Sequence, residues 1–296
     1  MKKLSFTARN AMYGRGFISI WALGILLFFI VPLVQTVIYS FNDITTDNNG
    51  IVLTAAGLAN YLRMFTVDAE ALPAMSTALL GLLYDVPLTV MFALLIAVML
   101  NGKFFGRTLF RAIFFMPVIV MSGSVMLLFR SDNIATMLFG GSDAGQTVFQ
   151  NITVLNDLFT NLGWGEQIVE VLQTVVSKVM DVCWYSGVQI ILCMAALQSI
   201  PDTLYEAARV EGATKWEEFW KITFPMSTPV LFVCVIYTII DKASQGVFTN
   251  YIQNVSFDNG NYGYGSALAM FYCLTIVAVI GLVSLLLRNW IRNAAR

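Results

Sequence analysis

Six stretches of this chain stay apolar over the roughly 20 residues an α-helix needs to cross the hydrocarbon core of a bilayer. They run approximately over 17–41, 73–101, 107–130, 177–199, 226–250 and 263–291. In lipid the backbone must satisfy its own hydrogen bonds, so runs of this length leave one comfortable architecture. The expectation is an all-α polytopic membrane protein with six transmembrane helices. With 58% hydrophobic and only 12% charged residues, a water-soluble globule is excluded. The first run is too long for a signal-peptide core and has no small-residue cleavage site after it, so it reads as a retained span.

Orientation follows from the cations. Lys2, Lys3, Arg9 and Arg15 fall on one side, with Lys103, Arg107, Arg111, Arg209, Lys215, Lys221, Arg288, Arg292 and Arg296. The other side holds only Arg63, Arg130, Lys178 and Lys242. The positive-inside rule then makes both termini cytoplasmic. The chain divides into a cytoplasmic tail (1–16), a first helix (17–41), an outer loop (42–72), a core (73–291) and a short tail (292–296). Within the core lie a long outer segment, 131–176, and a polar cytoplasmic loop, 200–225. The outer loops are acidic, and 148–159 and 166–176 have the periodicity of amphipathic helices.

Several chemistries are absent. There is no histidine, hence neither the commonest metal ligand nor the commonest general base. Cys183, Cys193, Cys234 and Cys273 lie in apolar spans without C-x-x-C spacing and read as small buried hydrophobes. No phosphate-cradling G-x-x-x-x-G-K-[ST] loop occurs, so any ATP chemistry belongs to another subunit. No basic stripe suggests nucleic acid.

The loop 200–225 is written for water. Pro201 ends the preceding span, and Thr203-Leu204-Tyr205-Glu206 reads as a capping box opening a short helix. Ala207 and Ala208 keep that helix slim, and Gly212 stands where a residue of positive φ would stop it. Thr214-Lys215-Trp216-Glu217 is a second capping box. Trp216, Phe219 and Trp220 share one face of the helix it opens, and Pro225 marks the return to the membrane. An interfacial anchor, with its aromatics down and Glu218 and Lys221 up, accounts for the second helix. The first has little apolar face and suits docking to a partner.

These residues carry a resemblance. Leu197-Gln198-Ser199-Ile200-Pro201-x-x-Leu204-Tyr205-Glu206-Ala207-Ala208-x-x-Glu211-Gly212-Ala213, continuing to Phe219-x-x-Ile222-Thr223-Phe224-Pro225, closely resembles the EAA loop of ABC-importer permeases of the carbohydrate-uptake branch. Gly57-Leu58-x-Asn60-Tyr61, Phe110-Arg111-x-x-Phe114-Phe115-x-Pro117 and Tyr262-Gly263-Tyr264-Gly265-Ser266-Ala267 match in order around it. The resemblance implies a type I ABC-importer fold in a prokaryotic cytoplasmic membrane. Glu206, Ala207, Ala208, Gly212 and Ala213 would then couple to a cytoplasmic ATPase dimer. It further implies a second homologous permease, an extracytoplasmic solute-binding protein, a sugar substrate and surrounding membrane lipid. This chain would bind no cofactor, the partner ATPase using ATP and Mg²⁺. Two departures stand out. Glu211 replaces the usual Asp, and 254–260 lacks the Gly-Gly-Pro common between the last two spans.

Inside the spans, Asp85 and Asp241 are candidates for a polar pathway, while Asp181 reads as a solvated helix end. Tyr84, Trp184, Tyr185, Tyr237, Tyr272 and Gln245 lie at matching depths, and such side chains suit a sugar's C–H faces and hydroxyls. Packing and interface belts are the bland alternative. A proton-coupled secondary transporter using Asp85 or Asp241 is the competing function, although no inverted repeat is evident. An enzyme built on that carboxylate pair has no supporting motif.

Overall fold

The structure, a computed structural model, describes residues 6–47, 50–102 and 185–294, with positions 106, 108–112, 114, 175, 178–179 and 182–183. Among these residues four helices are long and apolar enough to cross a membrane: Gly14–Ser40, Ala71–Asn101, Lys215–Ser244 and Tyr262–Arg288. The pair Gly187–Gln198 and Asp202–Val210, bent by 63°, makes a fifth if counted as one span. Most of the expected third span, and the outer segment 131–176, lie outside the described residues.

Helix α1 (Phe6–Ile25) begins well ahead of the expected residue 17 and passes through a π-helical turn, Leu26–Ile30, into α2 (Val31–Ser40). The turn is closed by the Val31 N–H donating to the Leu26 carbonyl, and Pro32 follows at once. A proline ring collides with the carbonyl four residues back, and one extra residue in the turn relieves that collision. The same device recurs at Phe219–Thr223, where the Phe224 N–H donates to the Phe219 carbonyl just before Pro225. Pro225 therefore does not break the helix. Helix α7 (Lys215–Glu218), the π-turn and α8 (Phe224–Ser244) run on without interruption, so the polar loop 200–225 has no sharp end there.

The segment 42–72, expected as an outer loop, is more ordered than its sequence suggests. Strand β1 (Asn42–Asp47) pairs antiparallel with β2 (Gly50–Ala55), with Asn42 opposite Ala55 and Asp47 opposite Gly50. Helix α3 (Ala59–Thr66) then leads to α4 (Ala71–Asn101), which continues through Pro87. Beyond the patchily described region come α5 (Gly187–Gln198), α6 (Asp202–Val210), α7 and α8, then α9 (Val247–Gln253), a third π-turn (Asn254–Asp258) and α10 (Tyr262–Ala294). The fifth span was expected to run to 250. It stops at Ser244 because extended Gly246, with ψ 168°, opens a new helix.

The chain forms two compact units, residues 1–82 with 243–282 and residues 83–242 with 283–296. In the first unit, Met64, Phe248, Tyr264 and Leu268 are buried. The Asn60 amide donates to the Ser40 and Asn42 carbonyls at 3.4 and 3.2 Å, and the Tyr61 hydroxyl donates to Ser40 Oγ at 2.8 Å. These bonds fold α3 back onto the end of the first span. Asp68 fastens three further segments. Its carboxylate accepts from the Glu70 and Ala71 amides and from the hydroxyls of Tyr251 on α9 (2.6 Å) and Tyr264 on α10 (2.5 Å). The Arg63 guanidinium lies 4.5 Å over the Tyr264 ring. Partial burial works against the Asp68 charge, but the two tyrosine hydroxyls and two amides outweigh it and hold its pKa below the ordinary 3.8. Gly263 and Gly265 have no room for a side chain, since a Cβ would strike the Asn42 carbonyl and Ser256 Oγ.

In the second unit α5 and α8 contribute the buried Ile190, Cys193, Leu231 and Cys234. Three buried hydroxyls on α8 have no water to turn to, so they bond back into their own helix. Ser227 donates to Thr223 O at 2.6 Å, Thr228 to Phe224 O at 3.0 Å and Thr238 to Cys234 O at 2.7 Å. Cys183, Cys193, Cys234 and Cys273 are free thiols. Cys193 and Cys234 are buried as expected, but Cys183 is only half-buried and Cys273 is exposed on α10.

Candidate functional site

The polar loop folds as a compact hairpin of α6 and α7. Helix α6 starts at Asp202 with Pro201 as its N-cap, at φ −63° and ψ 133°, and no side chain caps it. This corrects the expected first capping box. Proline already supplies the extended cap geometry and lacks the N–H a box would satisfy, which leaves Thr203 inside the first turn. The C-terminus is as expected. Gly212 has φ +83°, its N–H donates to Arg209 O at 3.0 Å, and the Ala213 N–H donates to Ala208 O at 2.9 Å. Together these bonds make a Schellman motif that closes the helix after about two and a half turns.

The second box is present. The Glu217 N–H donates to Thr214 Oγ1 at 3.3 Å, and the Thr214 N–H donates to Glu217 Oε2 at 3.0 Å. Glu218 departs from the expected outward orientation. It is buried, and its carboxylate accepts from Arg209 Nε of α6 at 3.0 Å and from Lys215 Nζ at 2.7 Å. Between the same two arms, the Tyr205 hydroxyl and Thr223 Oγ1 are 3.0 Å apart. Lys221 does turn outward, held to Glu217 at 3.1 Å. Trp216, Phe219, Trp220 and Phe224 pack ring against ring on the far side of α7, with Trp216 still 70% exposed.

These fastenings consume one face of α6 and leave the other bare. Tyr205 and Ala208 are half-buried, while Thr203, Glu206, Ala207 and Val210 are exposed at helical spacing, with Glu211 and Gly212 at the tip. Val210 is 90% exposed, an apolar knob the sequence did not single out. Of the five expected coupling residues, Glu206, Ala207 and Gly212 lie on the bare surface. Ala208 and Ala213 close the Schellman motif behind it.

Comparison with known proteins identifies the setting. Residues 89–296 match the family described as binding-protein-dependent transport system inner membrane component. The chain belongs to that family. It is 29% identical to a probable ABC transporter permease protein, YesP, of Bacillus subtilis, over 97% of this chain and 93% of that one. It is 26% identical to the multiple sugar-binding transport system permease protein MsmF of Streptococcus mutans, over 94% of each chain. A chain of the bacterial alginate ABC transporter solved with an alginate pentasaccharide-bound periplasmic protein matches in fold, with TM-score 0.58 at 17% identity and coverage of 98% and 99%. This is a multi-pass inner-membrane permease of the ABC class, and its relatives are transport subunits rather than enzymes.

The permease's expected pathway residues divide between the two units, with Tyr84, Asp85, Tyr185, Tyr237 and Asp241 in the second and Gln245 and Tyr272 in the first. Asp85 on α4 is ion-paired with Lys178 at 2.9 Å, and the Lys178 ammonium lies 4.9 Å from the Tyr84 ring centre. Tyr185 carries the Lys242 ammonium over its ring at 4.7 Å. Tyr237 and Asp241 follow one another by a turn of α8, and Gln245 is exposed at the break after it. Tyr272 is buried against Phe248, and its hydroxyl donates to the Ala243 carbonyl at 3.3 Å, where α8 ends. Trp184 and Asp181 lie outside the described residues. Glu218, Arg209 and Lys178 were missed as site-forming groups. The only local signal for the first was its i,i+3 spacing from Lys215.

Proposed function

We propose that this chain is a transmembrane permease subunit of an ATP-driven, binding-protein-dependent importer of a sugar or oligosaccharide. It has six spans with both termini in the cytoplasm and forms the pathway with a second, homologous permease. An outside binding protein delivers the solute. The hairpin of α6 and α7 seats against a cytoplasmic ATPase dimer, which consumes ATP and Mg²⁺. The observation that carries the reading is the bare face of α6 on a hairpin otherwise pinned by Glu218 and stopped by Gly212. A body fixed internally and bare on one side passes a partner's motion to its attached spans as a rigid shift. The multiple-sugar permease among its relatives supports the substrate class. Tyr84, Asp85, Trp184, Tyr185, Tyr237, Asp241, Gln245 and Tyr272 are the candidate lining.

The test is Gly212→Val, with ATP-driven uptake measured in cells and assembly followed by co-purification. Wild-type uptake would sink the coupling assignment. The competing proton-driven carrier loses one of its two candidate carboxylates, because Asp85 already holds Lys178 at 2.9 Å. That carrier predicts uptake by this chain alone, abolished when the proton gradient collapses.

A further inference from the structure

Among the described residues two side-chain bonds tie α6 to the arm that follows it, and their spacing differs on the two sides. Arg209 Nε donates to the Glu218 carboxylate at 3.0 Å, and the Tyr205 hydroxyl lies 3.0 Å from Thr223 Oγ1. On α6, Tyr205 and Arg209 are separated by about one turn of an α-helix. On the other arm Glu218 and Thr223 stand further apart in sequence. An unbroken α-helix would set them about 140° apart around its axis, and both could not face α6. Between them runs the π-turn Phe219–Thr223, whose i→i+5 closure brings the two nearly into line. Tyr205 therefore meets Thr223 only while the extra residue is in place.

Thr223 also closes the turn from within. Its hydroxyl donates to the Glu218 carbonyl at 3.3 Å. Having one proton, it then accepts from Tyr205, so a chain of hydrogen bonds runs from α6 through Thr223 to Glu218. Thr223 is buried, which keeps water from competing for either bond. Relief of the Pro225 ring accounts for the extra residue but not for its bonding across to α6. The turn before Pro32, Leu26–Ile30, meets the same need with five apolar side chains, none of them buried.

We infer that Tyr205 and Thr223 form a latch that holds the π-turn and fixes the register between the hairpin and α8. The inference rests on the coupling reading and names the positioning residues that carry movement across this joint. With the latch closed, α8 turns with the hairpin. With it open, the turn slips toward α-helical closure, α8 rotates against the hairpin, and ATP is consumed without solute being moved.

The test measures solute moved per ATP hydrolysed by the co-purified importer complex in proteoliposomes. Hydrogen exchange of the 219–224 amides is read on the same preparations. Tyr205→Phe and Thr223→Val should each lower the ratio about fivefold, the scale of one lost hydrogen bond, and each should quicken exchange. The double variant should be no worse than either single one. Thr223→Ser keeps the hydroxyl and should restore most of the ratio, and with Tyr205→Phe it carries the test should Thr223→Val not assemble. A wild-type ratio or unchanged exchange in Tyr205→Phe, while Gly212→Val lowers the ratio, overturns the latch and leaves the coupling reading standing. A wild-type ratio in Gly212→Val overturns both. Additive losses in the double variant, or Thr223→Ser as impaired as Thr223→Val, also overturn the latch.

Discussion

The hairpin of α6 and α7 and the clasp around Asp68 each turn on a single carboxylate, yet they are fastened in opposite ways. Glu218 draws both its cations, Arg209 and Lys215, from within ten residues of itself. Asp68 takes two amides from its own turn but its hydroxyls from Tyr251 and Tyr264, more than 180 residues away. Local pairing makes a small body that stays whole when it moves. Distant pairing welds the turn before α4, α9 and the start of α10 into a frame. Damage to the first should therefore show as lost transmission in a protein that still folds, and damage to the second as lost stability in a protein that still transmits.

The largest effect expected is that of Gly212→Val. No side chain obstructs a Cβ at this position, so the cost arises from the backbone. A non-glycine residue in the left-handed region costs about 1–2 kcal/mol, more when β-branched. That strain either unwinds the stop or shifts Ala213 from the Ala208 carbonyl, and the bare face of α6 turns with it. Uptake should fall about tenfold or more, while the thermal midpoint of the purified complex changes little. Gly212→Asn, which tolerates positive φ, should restore most of the loss. Glu218→Gln comes next. It keeps the side-chain shape and removes the charge that holds Arg209 and Lys215. Uptake should drop less than for Gly212→Val, and binding-protein-stimulated ATP hydrolysis should become partly uncoupled from it.

Asp68→Asn tests the other side of the comparison. Charge-assisted hydrogen bonds contribute about 1.5–3 kcal/mol each when well buried. Discounted for the partial exposure of Asp68, a net loss of about 1–2 kcal/mol is expected. Thermal unfolding should show it, with uptake per folded complex unchanged. The pH dependence has a definite sign. The Asp68 pKa is lowered on folding, so its stabilisation is full above the ordinary 3.8 and fades as pH falls below that value toward the folded pKa. The gap between wild type and Asp68→Asn should therefore stay constant near neutrality and close in stronger acid. A gap that closes at neutral pH would show that the clasp does not rest on this carboxylate.

Legibility in the sequence followed the same division. The long spans could be read because lipid imposes one rule on every residue in them. The Gly212 stop and the Thr214–Glu217 box could be read because each is decided within a few residues. The role of Glu218 was missed because adjacent acids look alike until folding sends Glu217 to the cap and Glu218 toward Arg209. Pro225 misled for a different reason. The π-turn before it absorbs the ring, and no residue pattern announces that turn. Asn60 and the two glycines of Tyr262–Ala267 were visible only as a resemblance. Asn60 finds Ser40 and Asn42 only because the hairpin between them folds α3 back, Gly265 meets Ser256 across the turn into α10, and Gly263 meets Asn42 from the far end of the sequence.

The smallest predicted effect separates two caps that look alike in sequence. Thr203 and Thr214 each precede a glutamate at the spacing of a capping box, but only Thr214 makes the bonds. Thr214→Ala should cost about 1 kcal/mol of local helix stability, the usual loss for an N-cap hydroxyl. Hydrogen exchange of the Lys215–Glu218 amides reads this directly and should quicken several-fold. Thr203→Ala removes no cap, because Pro201 holds the N-cap position and the Thr203 side chain has no bond to lose in the first turn. Exchange in α6 should stay within error of wild type. Thr203 is also exposed on the face assigned to the ATPase. A Thr203→Ala protein with unchanged exchange but weaker ATPase association would mark that residue as a contact. Equal effects of the two substitutions on helix stability would return α6 to the capping-box reading and remove Pro201 from its start.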